Sequence, residues 1–161
     1  MDKPPAIHGL HHAAYRCSNS GRTRDFYEGL LGLPLVDAFE IRTTKTGRAT
    51  EVLHSFYALG DGSCLAFFEA PDLPFEFKAQ HDFDLHIALR VDRPALDSIR
   101  ARAEATGVEV RGISDHGFIE SIYLRDPDGY VVELTAPTDA AAPEPAAAER
   151  ALANWQARRG R

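Results

Sequence analysis

The feature that most constrains this chain is that it repeats itself. His12-Ala-Ala-Tyr-Arg16 and His86-Ile-Ala-Leu-Arg90 share the pattern His-x-Ala-x-Arg, 74 residues apart. A glycine follows each, Gly32 after 20 residues and Gly107 after 21. Ser55-Phe-Tyr57 then corresponds to Ser121-Ile-Tyr123, and Asp61-Gly62 to Asp128-Gly129. Each half closes on an apolar run ending in an acid, Glu69 and Glu133. Five correspondences in one order indicate two copies of one unit.

Each unit reads as β-α-β-β-β. His11 to Cys17 and Leu85 to Val91 are short, partly apolar segments of strand character. Phe26, Tyr27, Leu30 and Leu31 form one helical stripe within Thr23–Leu31, with Ser20 as a candidate cap. Leu96, Ile99 and Ala103 do the same within Pro94–Ala105. Three strands are then expected per unit: 35–41, 52–59 and 64–69, then 109–113, 120–124 and 131–134. Gly60-Asp-Gly62 and Asp126-Pro-Asp-Gly129 supply the hairpin turns. The expected organisation is a first module at 7–70, a linker at 71–83 and a second module at 84–137. An Ala-rich tail at 138–161 follows. Ala148, Leu152 and Trp155 put a short apolar stripe on a helix in that tail, which is expected to dock on its own domain or on a partner subunit, or else to close over a site.

Composition removes several classes. A net charge of −6 argues against a generic nucleic-acid binder, which needs clustered Lys and Arg. No apolar run approaches the roughly 20 residues of a membrane span. MDKPPAIHGL lacks the apolar core of a secretory signal. Cys17 and Cys64 offer neither a disulfide framework nor a thiolate metal site. The expectation is a soluble, cytoplasmic protein acting on a small molecule.

In a strand, alternate residues share a face, so His12 points with Ala14 and His86 with Ala88. An acid closing an apolar strand is costly to bury unless paired or coordinated. If a pseudo-two-fold relates the modules, His12, Glu69, His86 and Glu133 converge as two imidazoles and two carboxylates. That donor set suits one divalent ion, Zn, Ni, Mn, Co or Fe(II), without choosing among them. His116, in Asp115-His-Gly117, is a candidate for substrate contact or proton transfer. His8, His11, His54 and His81 are expected at surface or strand-edge positions without a special role.

The residues His12…Thr23-x-x-Phe26-Tyr27…Leu31-Gly32-Leu33 and His86-Ile-Ala-Leu…His116-Gly117…Asp126-Pro-Asp-Gly-Tyr130-Val-Val-Glu133-Leu resemble the vicinal oxygen chelate superfamily. That superfamily includes glyoxalase I, bleomycin-resistance proteins and extradiol dioxygenases. The resemblance spans about residues 7 to 137 and implies an α+β fold, with two tandem βαβββ modules making a cupped mixed sheet around one metal. In glyoxalase-type members the ligands fall where His12, Glu69, His86 and Glu133 stand, which implies an isomerase or lyase in which Glu133 or Glu69 moves a proton. Glutathione-binding residues have no clear counterpart here, although Arg16 and Arg90 are placed to meet an anionic substrate. The dioxygenase alternative uses His12, His86 and Glu133 as a two-His-one-carboxylate triad, with Tyr123 where ring-cleaving members carry a tyrosine. A metal-free binding or resistance protein is a second alternative. Many members are dimers, so a homodimer is expected.

Overall fold

A computed structural model describes residues 7–79, 81–142 and 144–159. The first six residues, which carry most of the expected absence of a signal, and the last two of the tail lie outside the described residues. The chain forms two four-stranded sheets. The first holds β1 (His12–Cys17), β2 (Leu35–Thr43), β3 (Ala49–Ala58) and β4 (Cys64–Glu69), in the order β1-β4-β3-β2. The second holds β5 (His86–Arg90), β6 (Val110–Asp115), β7 (Ile119–Arg125) and β8 (Val131–Pro137), in the order β5-β8-β7-β6. In each sheet the first and last strands pair in parallel and the remaining pairs are antiparallel. This is the α+β, twice-repeated mixed sheet that the duplication implies.

Helix α1 (Ser20–Arg24) follows β1, and α2 (Arg93–Thr106) follows β5. Asn19 caps α1 by accepting from the Arg22 N–H, and Asp92 caps α2 by accepting from the Ala95 N–H. Gly107 ends α2 in the left-handed conformation at φ 74°, which a residue with a Cβ adopts only under strain. The single helix expected over 23–31 differs in the structure. After α1 the chain widens into a π-helical turn, Asp25–Leu30, with the Leu31 N–H donating to the Phe26 carbonyl. Phe26 and Tyr27 are both buried there, their rings edge to face at 4.9 Å. Two adjacent rings facing one core need a wider turn than a regular helix presents.

The two modules share one core, built at the backs of the sheets. Tyr57, Leu65 and Phe67 pack under α1 and the π turn, and Ile122, Leu124 and Leu134 pack under α2. Leu96 and Ala103 of α2 are fully buried in the same cluster. The Asp126-Pro-Asp-Gly129 turn joins the halves. Buried Asp126 accepts from the Tyr27 hydroxyl (3.0 Å) and from the N–H groups of Asp128 and Tyr130 (2.9 Å each). Asp128 accepts from the Ser18 N–H (3.0 Å) and the Ser18 hydroxyl, and Arg22 donates to the Pro127 carbonyl (2.6 Å). At Gly129 (φ 93°) a Cβ would lie 2.9 Å from Ala79 Cα, so the linker seats directly on this turn.

Helix α3 (Pro145–Arg159) buries none of its described residues, and Leu152 and Trp155 are 59% and 52% exposed. The tail therefore makes a helix, as its stripe indicates, but does not dock on its own chain. No helix among the described residues is long and apolar enough to cross a membrane.

Candidate metal centre

With the helices behind the sheets, the opposite faces of both sheets point outward. On β5, burial alternates: Ile87 and Leu89 turn to the core, while His86, Ala88 and Arg90 turn out. Register places Ala88 beside Glu133, and Glu133 beside Tyr123 on β7. His86 Nε2 lies 3.2 Å from Glu133 Oε2. The other ring nitrogen of His86, Nδ1, donates to the Asp82 carbonyl at 2.6 Å, which turns Nε2 toward the carboxylate. Two donors on one ion with ligand distances of about 2.1 Å stand roughly 3 Å apart, the separation seen here. Glu133 is 6% exposed, and its one ion-pair partner among the described residues is this histidine. A buried carboxylate needs positive charge beside it, and this carboxylate and imidazole nitrogen are spaced to share one ion. The pair fits a divalent metal.

Around this pair lies a second, polar ring of side chains. The Tyr123 hydroxyl and His116 Nε2 are 3.1 Å apart. Burial, and then the neighbouring Glu133 carboxylate, push the Tyr123 phenol above its ordinary range. Asp82 grips Arg111 through both carboxylate oxygens (2.6 and 2.7 Å), and the Arg111 guanidinium sits 5.6 Å from the centre of the Tyr123 ring. Arg111 in turn holds the Asp82 carboxyl below its usual range. Asp82 thus orients both His86 and Arg111. The sequence placed it in the linker, where no pattern marks it.

His12 occupies the matching position on β1, pairing with Cys64, and its Nδ1 lies 2.7 Å from His11 Nδ1. Its Nε2 has no hydrogen-bond partner among the described residues. It faces Phe56 and His54, not His86 and Glu133. Among the described residues no group of three His, Cys, Asp or Glu converges to hold a metal. His86 and Glu133 stand together on the second sheet, and His12 stands by itself on the first.

Glu69 stands apart from both. Because His12 pairs with Cys64, residues 64, 66 and 68 share its face, and Glu69 pairs with Cys17 on the opposite face and at the far end of the strand. Its Oε2 accepts from the Ser20 N–H at 2.7 Å, where α1 begins. The expected four-donor set is not assembled within the chain; for Glu69 the physical reason is strand parity. The residue that corresponds to Glu133 is Ala66: Ala14 pairs with Ala66 as Ala88 pairs with Glu133, and each follows its turn glycine by four residues. Counting from the turn, rather than to the nearest acid, gives this match.

Of the remaining histidines, His8, His11 and His81 are exposed as expected. His54 is buried, not at the surface. It is 6% exposed, lies flat on Phe68 with ring centres 3.7 Å apart and planes at 11°, and donates from Nδ1 to the Phe67 carbonyl at 3.1 Å. Arg16, expected to meet an anion, instead donates to the carbonyls of Ala70 (3.0 Å) and Leu73 (2.8 Å).

The sequence profile of the Glyoxalase/Bleomycin resistance protein/Dioxygenase superfamily matches residues 9–134. Among curated proteins the chain is 27% identical over 134 residues to the metallothiol transferase FosB of Shouchella clausii, covering 80% of each. Among solved structures it is similar to a glyoxalase/dioxygenase from Nostoc punctiforme (TM-score 0.64, 21% identity, 86% of this chain and 97% of that one). It is also similar to the fosfomycin resistance protein FosX from Listeria monocytogenes in complex with Mn(II) and sulfate (TM-score 0.60, 22% identity, 83% and 96%).

Proposed function

The chain belongs to the Glyoxalase/Bleomycin resistance protein/Dioxygenase superfamily, and we propose that it is a divalent-metal-dependent enzyme acting on a small oxygenated substrate. His86 and Glu133 of one protomer and His12 of a second hold the ion. The carrying observation is the His86–Glu133 pair: a buried carboxylate 3.2 Å from an imidazole nitrogen that the Nδ1 bond to Asp82 turns toward it. FosX, bound to Mn(II), and FosB, named a metallothiol transferase, support the metal. Because His12 opens on a different face of the chain, a homodimer that sets the first sheet of one copy against the second sheet of the other completes each centre.

When bound, the ion supplies Lewis acidity toward two neighbouring substrate oxygens. The protein's own residues do the rest. Glu133 offsets the ion's charge, and Asp82 keeps the His86 ring aimed. Tyr123 and His116, hydrogen-bonded beside Glu133, hold a proton where a substrate oxygen gains or loses one. With Glu69 turned to the helices, the glyoxalase I-type isomerisation loses one of the two carboxylates it was assigned. A lyase or transferase reaction run by the Tyr123–His116 pair fits the site better. The two-His-one-carboxylate set also favours a second reading, Fe(II)-dependent ring cleavage, with Tyr123 beside the open positions.

The decisive experiment is complementation. His12→Ala and Glu133→Ala are each made alone, then co-expressed. Each homodimer is expected to bind no metal, whereas the mixed population regains roughly a quarter of wild-type sites, one of two in each heterodimer. No recovery on mixing would overturn the shared centre. Oxygen uptake by the Fe(II)-loaded protein on catechols, absent with Mn(II) or Zn(II), would select the ring-cleaving reading.

A further inference from the structure

The two outward faces have opposite chemistry. The second carries Glu133, Tyr123, Thr135 and Ser121, all polar. The first is aromatic. Register lines up Phe39, His54, Phe68 and Arg16 as one row across β2, β3, β4 and β1. Phe56 stands in the next row toward His12, beside Ala66 and Ala14. These rings form one cluster. His54 stacks on Phe68 and lies 4.2 Å from Phe56, and Phe39 stacks on Phe56 at 6.0 Å. His12 meets the edge of the cluster, 5.6 Å from Phe56. The Nδ1 bond to the Phe67 carbonyl fixes the plane of His54, so this histidine is part of the wall.

The cluster lies on the side of the sheet away from the core: Phe39, on the edge strand β2, is 45% exposed, Phe56 and Phe68 are half-buried, and His54 is buried among them. Ala14 is exposed in the same row as Phe56, while Ala66 between them is fully covered. From the His12 row to the Arg16 row is four residues, roughly 13 Å of strand, too long for a three-carbon substrate. Charge points the same way. Arg16 is committed to two backbone carbonyls and lies over Phe75 at 5.1 Å, and Arg111 is committed to Asp82. Arg90, at the end of β5, is exposed on the polar face, which Arg125 shares through its pairing with Val131, so the cations lie on the second sheet and the rings on the first.

We propose that the substrate carries a flat, unsaturated ring body, at least bicyclic, which stacks on the Phe39–His54–Phe56–Phe68 wall while its neighbouring oxygens reach the ion beside His12. This rests on the metal reading above, and the test separates the two. The full chain, loaded with Mn(II), is titrated with 1-hydroxy-2-naphthoate and with glycolate, which offers a hydroxyl and a carboxylate without the ring. The naphthoate is expected to bind at least ~10-fold more tightly, since ring stacking adds to chelation. Phe39→Ala is expected to weaken it by about 5-fold and leave glycolate unchanged. Val36→Ala, on the same strand and 55% exposed, is the control and is expected to change neither. Equal affinity for the two acids, or a Phe39→Ala variant that binds the naphthoate as wild type does, overturns the wall. A second titration uses chelator-stripped protein and 2-methoxynaphthalene, which cannot chelate. Binding that Phe39→Ala weakens upholds the wall even if the protein takes up no metal, in which case only the metal reading fails; no binding, or binding indifferent to Phe39, overturns the wall alone.

Discussion

Replacing Glu69 and Glu133 by glutamine, one at a time, separates two carboxylates that the sequence treats as equivalents. Glu69 accepts one charge-assisted hydrogen bond from Ser20 at the start of α1. The amide of a Glu69→Gln variant keeps an acceptor and loses the charge. A hydrogen bond to a charged group exceeds a neutral one by about 1 kcal/mol, and a charge at a helix N-terminus adds about 0.3–1 kcal/mol on partly overlapping grounds. The expected loss is therefore about 1 kcal/mol, or a melting temperature lower by about 2–4 °C for a chain of this size. Metal affinity should stay within about 2-fold, because Glu69 lies on the face opposite His12. Glu133→Gln inverts the pattern. A buried carboxylate, a ligand in the proposed metal centre, is replaced by a neutral amide, so affinity is expected to fall by at least about 100-fold while the metal-free protein melts within about 2 °C of wild type. Competition against a fluorescent chelator for Mn(II) gives the affinities, and thermal unfolding of stripped protein gives the stabilities. A Glu69→Gln variant that binds Mn(II) about tenfold more weakly would place Glu69 among the ligands and refute the parity argument.

Metal at about 100 times its dissociation constant should stabilise the wild type by about 2.7 kcal/mol, read as a concentration-dependent rise in melting temperature that His86→Ala abolishes. Tyr123→Phe should lower turnover by about 100-fold with unchanged metal affinity, measured by steady-state kinetics beside chelator competition, once a substrate is in hand. Burial raises the Asp126 carboxyl above its unfolded value, so the folded state holds this proton more tightly. Its contribution is fully present below the unfolded aspartate pKa and is lost as pH rises through the folded one. Urea unfolding of the wild type and Asp126→Asn across that window should show the wild type losing stability relative to the variant as pH rises; parallel curves would contradict this. Truncation after residue 144 should shift the melting temperature by less than about 2 °C, since α3 buries nothing on its own chain, and a larger drop would mean that the helix docks.

How much of this was legible beforehand differs by level. The duplication, the strands and the helix over α2 follow from local pattern, because alternation and the 3.6 period are properties of consecutive residues. His86 and Glu133 are readable as candidate donors for the same reason, each lying in a strand with its own turn signal. The π turn, the buried place of His54 and the service of Asp82 to both His86 and Arg111 are not. Each depends on what a neighbouring strand or loop presents, and the linker carries no period that would aim it.

The sequence by itself determined that one βαβββ unit occurs twice and that two histidines and an acid sit at related strand positions. Tertiary structure alone decided which of them meet. Packing both helical faces into one shared core turns the two functional faces outward and apart, so that His12 and the His86–Glu133 pair do not converge within a chain. Strand register decided the rest, since a shift of one residue along a strand reverses the face. That single step takes Glu69 to the start of a helix and leaves alanine where its counterpart carries the carboxylate.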